Sequence, residues 1–280
     1  MLIAVDTGGT KVLVASFSQD GQLGGQYRFE TPKTPGHYID LLSDHLIETY
    51  GEEDIDAIVI GMPGTVIDNI VVWCARLGWK NFNVIEALRD SLKDKNAGSN
   101  LTSAVVMVDN DANLAGLAET RTLKTIPKSS LYITISTGIG TGIITNGKID
   151  PGLAKSEGGR IQIDWAGRHQ EWQDFASGKA IKNTYGKYAR DIKSKRAWKQ
   201  IADKISRGLL VLIPVIQPDI IIIGGSIGTY FDRYELTLEK IIKDKLPNHI
   251  TPPVITMAKH PEQAVLYGCY YYAIDTLPTT

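Results

Sequence analysis

The sequence is poor in cysteine, in net charge and in long apolar runs. Its two cysteines, Cys74 and Cys269, lie in unrelated contexts, so neither a disulfide framework nor a paired-cysteine metal site is expected. The apolar runs, such as 220–223, are too short to span a bilayer. The first residues enter a strand pattern and have no signal-peptide shape. These absences favour a cytoplasmic protein with reduced thiols and no membrane contact.

Positive and negative charges are almost balanced, with 30 basic and 31 acidic residues and a net charge of -1. This composition indicates no basic surface for nucleic acid. A phosphorylated small molecule stays compatible with it, because backbone N–H groups and metal ions hold phosphate without a basic protein. The length of 280 residues and the hydrophobic content of 43% predict a globular protein of two domains.

Strands and helices alternate along the chain, as is typical of α/β domains. Short apolar runs predict strands at 2–5, 11–17, 57–61, 105–108, 131–136, 219–223 and 254–257. Helical spacing of apolar residues predicts helices at 38–50, 84–92, 112–122, 178–188, 197–215, 231–244 and 262–274. The polar segment 93–102 predicts a surface loop.

A strand, a glycine-rich turn and a second strand occur twice in the chain. The first turn is 6–11, DTGGTK, and the second is 137–142, TGIGTG, after Ser136. Glycines let backbone N–H groups approach phosphate oxygens, so both turns are candidate phosphate sites. The repetition predicts a duplicated α/β domain with a cleft between its halves. Coincidence is the alternative, because glycine-rich hairpins are common.

Three residues stand where strands end. Asp6 is a candidate to hold Mg²⁺ directly or through water, or else a solvated turn residue. Asn110 and Asp111 follow a buried strand, at the edge where ligands bind in open α/β sheets. Asp111 can accept the proton of a hydroxyl that attacks a γ-phosphate, and Asn110 can orient that ligand. The alternative is that either residue caps the following helix, and the two roles can coexist.

Gly224 and Gly225 follow another buried strand and precede a helix. This arrangement leaves room for an adenine ring or a ribose. The competing interpretation is a strand–helix turn that needs glycine for packing.

In this order the motifs resemble the ROK family of bacterial-type glucokinases, fructokinases, N-acetylhexosamine kinases and sugar-responsive repressors, over nearly the whole chain. The matching segments are 6–11, 61–64, 110–113 with Glu119, 137–140, 176–178 and 224–225. The resemblance implies an α/β fold of two actin-like (ribonuclease H-like) domains around a central cleft, and phosphoryl transfer from MgATP to a sugar hydroxyl. We expect a smaller domain of 1–112 plus 262–280 and a larger domain of 113–261. A homodimer is expected, because dimers are common in the family.

The resemblance also implies a role for each matching residue. Asp111 is expected to be the catalytic base, and Asp6 to hold Mg²⁺. The expected substrate-binding residues are Gly64, Asn110, Asp111, Glu157, Arg160 and Gln173. The expected nucleotide-binding residues are Asp6, Gly8, Gly9, Thr10, Lys11, Thr137, Gly138, Gly224 and Gly225.

The chain departs from the family pattern on the sugar side. Arg160 stands where the family has the histidine of E-x-G-H, and Arg76 replaces a sugar-contacting asparagine of N-L-G-W. A glutamate that contacts the sugar in the family is either replaced here by Gln173 or shifted in position to Glu171. The family's cysteine-rich zinc motif is missing, so no zinc is expected.

These departures leave the sugar open. A neutral hexose such as glucose is favoured, since an arginine near carboxylates is more often a brace than a ligand contact, with Glu157 or Asp164 as the partner of Arg160. An N-acetylated or acidic sugar is the alternative, the latter if Arg76 and Arg160 point into the cleft, because guanidinium groups bind anionic substituents. His169 and Arg76 are otherwise expected at the surface.

Two functions without catalysis compete with the kinase. A sugar-responsive repressor needs a DNA-binding region ahead of the kinase-like part, and the chain begins five residues before Asp6, which argues against that class. A non-catalytic sugar-binding or regulatory protein is the other, and the carboxylate of Asp111 argues against it. The sequence therefore predicts an ATP:sugar phosphotransferase.

Overall fold

The computed structural model describes residues 1–260 and 262–278, and the chain divides into two compact units. The first unit is Met1–Ala115 together with the chain from Val265 onward, and the second unit is Gly116–Ala264. Each unit buries a hydrophobic core of its own. The chain therefore folds as two α/β domains, each with the packing that a separate domain needs.

The described residues form fifteen strands. Those of the first unit are β1 (Leu2–Thr7), β2 (Lys11–Phe17), β3 (Leu23–Glu30), β4 (Ala57–Met62), β5 (Thr65–Ile67), β6 (Ile70–Cys74), β7 (Trp79–Phe82) and β8 (Val105–Asn110). Those of the second unit are β9 (Ser129–Ile135), β10 (Ile139–Thr145), β11 (Lys148–Ile149), β12 (Gln162–Trp165), β13 (Arg168–Glu171), β14 (Ile220–Gly224) and β15 (Val254–Met257).

Ten α-helices occur in the same described residues. They are α1 (Pro35–Tyr50), α2 (Val84–Asp94), α3 (Ser99–Thr102), α4 (Asp111–Arg121), α5 (Trp172–Ala176), α6 (Gly178–Tyr185), α7 (Lys195–Ile216), α8 (Gly225–Gly228), α9 (Glu235–Lys245) and α10 (Ala264–Thr276). Single 3₁₀ turns lie at Gly158–Arg160, Ala189–Asp191 and Phe231–Arg233.

The two main sheets have the same topology. The first unit orders its strands β3-β2-β1-β4-β8, and the second orders them β11-β10-β9-β14-β15. In each sheet the first three strands are antiparallel neighbours, and the next two add in parallel. The duplication that the glycine turns predict is therefore present in the strand order.

Local sequence sets where several helices begin and end. Thr34 accepts a hydrogen bond from the His37 amide before α1, and Pro35 begins that helix, where its missing N–H costs nothing. Ser194 caps α7 in the same way through the Ala197 amide. Gly186 ends α6 with a φ of 66°, a conformation that glycine adopts without strain.

The structure differs from the predicted elements at several places. The segment TGIGTG is a turn only as far as Gly138, because Ile139, Thr141 and Ile143 are buried in strand β10. Strand β3 and the small β5-β6-β7 sheet were not predicted, since their exposed or mixed residues lack a clear apolar period. The predicted surface loop 93–102 contains helix α3, which buries Leu101. Within residues 1–260 and 262–278, no helix has the length and apolar character that a membrane crossing requires.

Candidate functional site

A first candidate site lies at one edge of the first sheet. Asp6 pairs with Gly61 across β1 and β4, and Gly61 pairs with Asp109 across β4 and β8. Met62 pairs with Asn110 in the next register position. These strands are parallel neighbours, so their carboxyl ends bring Asp6, Asp109 and Asn110 to the same edge. This is the edge at which open α/β sheets bind ligands.

Asp6 lies in a densely packed environment although part of its surface is accessible. Burial, followed by the negative charge of Asp111, raises the pKa of the Asp6 carboxyl from 3.8 to about 7, while Lys11 opposes the rise. Asp6 and Asp111 are therefore close enough to repel each other. A cation between or beside the two carboxylates removes that repulsion.

The oxygen donors of Asp6 and Asp111 fit Mg²⁺, which prefers hard oxygen ligands and keeps several waters. Across the described part of the chain, no group of three or more His, Cys, Asp or Glu side chains is arranged to hold a metal. A Mg²⁺ ion at this edge therefore needs water and donor phosphate oxygens to complete its coordination.

Asn110 occupies the N-terminus of α4. Its Oδ1 accepts hydrogen bonds from the amides of Ala112 and Asn113, at 2.8 and 3.1 Å, so the capping interpretation is correct for this residue. Its Nδ2 donates to the carbonyl of Gly64 at 2.7 Å. Gly64 has a φ of 98°, and a Cβ there would lie 2.2 Å from the Trp73 carbonyl oxygen. Only glycine fits position 64, and Asn110 links the turn at this position to the start of α4.

The neighbouring aspartates have different surroundings. Asp109 Oδ1 accepts hydrogen bonds from the Asn110 amide and from Asn113 Nδ2, at 2.6 and 2.9 Å, and burial raises the pKa of this carboxyl. Asp111 is the first residue of α4, is half-buried, and accepts from the Ala112 amide through Oδ1 at 2.9 Å. Asp109 therefore braces the strand–helix junction, while Asp111 stands at its edge beside Asp6.

The first glycine turn (Gly8–Thr10) is held from both sides. The Gly8 amide donates to the Lys11 carbonyl at 2.9 Å, and a Cβ on Gly8 would lie 2.9 Å from that same oxygen. The Thr31 hydroxyl donates to the Gly8 carbonyl at 2.7 Å, and the Thr31 amide donates to the Thr10 carbonyl at 3.1 Å. The turn is therefore preorganised by hydrogen bonds at both of its ends.

A second candidate site is a pocket of about 460 Å³ in the second unit. It adjoins the second glycine turn (Ser136–Gly138), and Ser136 and Thr137 line it. The Ser136 carbonyl accepts from the Gly178 amide at 2.6 Å, and its hydroxyl accepts from the Ser226 amide at 3.0 Å. One serine thus holds the starts of α6 and α8 against the turn.

Gly224 and Gly225 fit close packing against the first strand of this sheet. A Cβ on Gly224 would lie 2.3 Å from the Tyr132 hydroxyl, and one on Gly225, whose φ is 74°, would lie 2.7 Å from the Ile135 carbonyl oxygen. The residues after them, Ser226 and Ile227, line the pocket. The packing role that was the alternative for this pair is therefore present, and the pocket opens one residue further along.

A basic and aromatic rim borders the pocket. Lys182 Nζ donates to the Tyr188 hydroxyl at 2.8 Å and lies 4.1 Å from the ring centroid, while Arg190 Cζ lies 5.2 Å from that centroid. The hydrogen bond from Lys182 lowers the pKa of Tyr188. Lys179 and Tyr230 line the same pocket. Sequence reasoning missed this rim because its members come from separate parts of the chain, 179–182, 188–190 and Tyr230, and form no motif.

The sugar-side residues of the second unit form one polar chain. Arg160 pairs with Glu157 at 3.6 Å and with Glu171 at 3.2 Å, and Gln173 Nε2 donates to Glu171 at 2.6 Å. The expected pairing of Arg160 with Glu157 is found. The alternative partner, Asp164, instead contacts His169 at 2.9 Å, and both of those side chains are exposed.

Gln173 also contacts the second glycine turn. A Cβ on Gly138 would lie 2.7 Å from Gln173 Oε1, which accepts a hydrogen bond from the Ile139 amide at 3.4 Å. Glu171, which sequence reasoning named only as a displaced substitute, is the residue that joins Arg160 to Gln173. Within the second unit, the predicted sugar contacts and the predicted phosphate turn are therefore neighbours.

Glu119, the last residue of the matched catalytic segment, lies away from these groups. It is buried, and its carboxylate accepts hydrogen bonds from the amides of Lys259 and His260 at 2.6 and 2.7 Å. It anchors the segment that follows β15.

Known proteins resemble the chain, some over part of it and others over nearly its full length. The chain is 31% identical to the glucokinase of Halalkalibacterium halodurans over 54% of this chain and 46% of that protein. It is 25% identical to the fructokinase of Pediococcus pentosaceus over 86% of this chain and 85% of that protein. A ROK family glucokinase from Streptomyces griseus, solved with glucose and AMPPNP, matches with a TM-score of 0.78 and 22% identity, over 98% of this chain and 99% of that one.

The structural likeness confirms the predicted α/β class with two actin-like domains. The sequence model of the ROK family matches residues 2–276. The chain therefore belongs to the ROK family.

Proposed function

We propose that the protein transfers the γ-phosphoryl group of ATP to a hydroxyl of a hexose. The observation that carries this proposal is that Asp6 and Asp111 lie at the same edge of the first sheet, beside the first glycine turn. A phosphoryl-transfer site needs a base for the attacking hydroxyl and a cation for the phosphate charge. Asp111 supplies the first and Asp6 holds the second. The relatives named glucokinase and fructokinase support the same reaction class.

The roles of the chain's groups follow from their positions. Asp111 accepts the proton of the sugar hydroxyl as that oxygen attacks the γ-phosphorus. Mg²⁺, held at Asp6 directly or through water, offsets phosphate charge when it is bound. Asn110 keeps one amide hydrogen for a sugar hydroxyl, since its other polar contacts are to Gly64 and to α4.

The pocket of the second unit is proposed to bind the nucleotide. Ser136, Thr137 and Ser226 offer polar groups, Tyr188 and Tyr230 offer aromatic faces, and Lys179, Lys182 and Arg190 offer positive charge. Of the expected nucleotide-binding residues, Thr137 lines this pocket directly, while Gly138, Gly224 and Gly225 shape the backbone beside it. Gly8, Gly9, Thr10 and Lys11 are proposed to contact the phosphates from the first unit.

A neutral hexose is the proposed acceptor. Arg160 is neutralised by Glu157 and Glu171, which makes it a brace and removes the main argument for an acidic sugar. Glu157 and Gln173 are proposed to bind ring hydroxyls, and Gly64 is proposed to contact the sugar. An N-acetylated or acidic sugar is the competing substrate class. We further propose a homodimer, which light scattering on the purified protein tests directly.

A coupled assay of ADP release tests the reaction. Glucose, fructose, mannose, N-acetylated hexoses and a sugar acid are each offered with MgATP, and the product is identified by mass. Sugar-dependent ADP release with a hexose monophosphate as product is the expected result. ATP turnover that no sugar stimulates contradicts the kinase proposal, whereas activity on a sugar acid well above that on glucose overturns only the substrate.

A further inference from the structure

Arg76 lies along the first glycine turn. A Cβ on Gly9 would lie 3.0 Å from Arg76 Cδ and 3.5 Å from Arg76 Cβ, so the aliphatic stem of the arginine covers this glycine. The side chain is exposed. Its guanidinium group begins one bond beyond Cδ and so lies close to the turn. The expectation of a solvated Arg76 is thus incomplete, because its stem is packed on the proposed phosphate turn.

A tight turn fixes Arg76 in this position. The amides of Leu77 and Gly78 both donate to the Cys74 carbonyl, at 3.2 and 2.9 Å, and Gly78 has a φ of 70°. The following residue, Trp79, is buried and donates from its indole to the Lys33 carbonyl at 3.0 Å. These hydrogen bonds therefore fix the backbone around Arg76, and the fixed backbone sets the direction of its aliphatic stem.

Arg76 and the proposed base share one neighbourhood. Burial raises the pKa of the Cys74 thiol, the negative charge of Asp111 raises it further, and the positive charge of Arg76 lowers it. Both charged groups are therefore close to Cys74. Among the described residues, no ion pair engages the Arg76 guanidinium, whereas Arg160 is held by two carboxylates.

The negative charges beside the first glycine turn favour a guanidinium group near the site of a bound phosphate. Asp6 and Asp111 repel an approaching γ-phosphate, and Lys11 is the lysine that offsets Asp6. Guanidinium is planar and permanently charged, and it binds two phosphate oxygens through paired hydrogen bonds. A guanidinium beside Gly9 therefore suits a phosphoryl group that rests on the turn.

We propose that Arg76 binds the transferring phosphoryl group of the donor and does not select the sugar, although the family places a sugar-contacting asparagine there. This inference rests on the proposed ATP-dependent phosphorylation. As the bond from the γ-phosphorus to its bridging oxygen breaks and the bond to the sugar oxygen forms, ADP leaves with the bridging electron pair and Asp111 takes the hydroxyl proton. Arg76 offsets the charge on the equatorial oxygens during this transfer.

Binding of two nucleotides separates a phosphate contact from a packing role. Calorimetric titrations with Mg²⁺-AMPPNP and with Mg²⁺-ADP are made on the wild type, Arg76→Met, Arg76→Lys and Arg89→Met. Arg89 is an exposed arginine on helix α2 and serves as the matched control. Arg76→Met is expected to lower the affinity for AMPPNP at least about tenfold, because one charge-assisted contact to the γ-phosphate is lost. The affinity for ADP, which lacks that phosphate, is expected to fall less than about twofold. Arg76→Lys is expected to lie between, and Arg89→Met to match the wild type.

Other outcomes overturn the inference in distinct ways. If Arg76→Met weakens the binding of both nucleotides equally, or of neither, Arg76 does not contact the γ-phosphate. A rise in the sugar KM with unchanged nucleotide binding assigns Arg76 to the sugar instead. Melting curves of all variants show whether the fold is intact, and Arg76→Lys keeps the charge if the methionine variant is unstable. A wild type that binds neither nucleotide and phosphorylates no sugar contradicts the proposed function itself, which is a separate failure.

Discussion

The two units share a strand order but place different chemistry at the turn after the first strand. In the first unit the carboxylate of Asp6 lies one residue before the end of the strand, where the charge of Asp111 acts on it. In the second unit the equivalent turn carries Ser136, whose carbonyl and hydroxyl are used to hold two helix starts. One copy of the scaffold thus presents repelling carboxylates, and the other presents a pocket with a basic rim.

This difference suggests a division of labour in a duplicated fold. Residues of the first unit are proposed to act on the reacting atoms, so changes there should affect kcat. Residues of the second unit are proposed to hold the nucleotide, so changes there should affect the KM for ATP. The four predictions below test this comparison, beginning with the largest effect.

Asp111→Asn is expected to lower kcat by about 10²–10⁴, because a positioned base contributes roughly that factor. The KM for ATP should change less than about twofold, since the asparagine keeps the size of the side chain. Steady-state assays over a range of ATP concentrations measure both. Asp94→Asn, at the exposed end of α2, is the control and should behave as the wild type. A kcat within a few-fold of wild type for Asp111→Asn would remove Asp111 as the base.

Asp6 should make the stability of the metal-free protein fall as pH rises. The folded protein binds a proton at Asp6 up to a pKa of about 7, whereas the unfolded chain loses it near 3.8. The stabilisation is thus complete below about pH 4 and is lost as pH rises through 7, by up to about 4 kcal/mol. Chemical denaturation in EDTA between pH 4 and 8 measures this slope.

Asp6→Asn is the control for that slope. The variant should lack it and should be more stable than the wild type above pH 7. Added Mg²⁺ should stabilise the wild type more than the variant. A wild-type slope that persists in Asp6→Asn shows that another group is responsible.

A glycine substitution in each unit tests whether the units unfold separately. A Cβ at Gly208 would lie 2.1 Å from the Trp172 ring, and one at Gly268 would lie 2.0 Å from the Leu114 carbonyl oxygen. Each change to alanine should destabilise its own unit by about 1–3 kcal/mol. Calorimetry should then show a lowered transition for that unit alone.

Gly36→Ala is the matched control for these variants. A Cβ at Gly36 meets nothing within 4 Å in helix α1, so this change should be stabilising by about 0.5–1 kcal/mol. A single transition that shifts equally in Gly208→Ala and Gly268→Ala would show that the units unfold together.

Lys182→Met, on the rim of the second unit, should have the smallest effect. The lysine is exposed and already bound to Tyr188, so we expect the KM for ATP to rise about three- to tenfold with kcat nearly unchanged. Lys199→Met, on the exposed side of α7, is the control. A loss of kcat without a change in KM would contradict the division of labour between the units.

Patterns local in sequence were sufficient to predict the fold class. The buried strands at β1, β4, β8, β9 and β14 have continuous apolar runs, and the repeated glycine turns indicated the duplication that the two sheets show. Strand β3 was not predicted, because most of its residues are exposed and show no clear apolar alternation. It forms as a strand through its pairing with β2.

The candidate site was predictable only where its residues form motifs. Asp6, Asn110 and Asp111 stand at strand ends, so the sequence alone marked each of them as a candidate, and the strand pairing brings the strand ends to one sheet edge. That Asn110 caps α4 while holding Gly64 depends on a hydrogen bond between residues 46 positions apart, which no local pattern encodes. The basic rim at Lys182 and Arg190 and the approach of Arg76 to Gly9 likewise depend on side chains that meet only after folding.

The sequence by itself determined the duplicated α/β scaffold, because apolar periodicity and glycine turns act over a few residues. Tertiary structure decided which charges are paired. Arg160 is a brace because β13 brings Glu171 to within 3.2 Å of it, while Arg76 stays unpaired within the described residues because its turn holds it over Gly9. Two arginines that look equivalent in sequence thus differ in role, because the interaction energy between two charges depends on the distance between them.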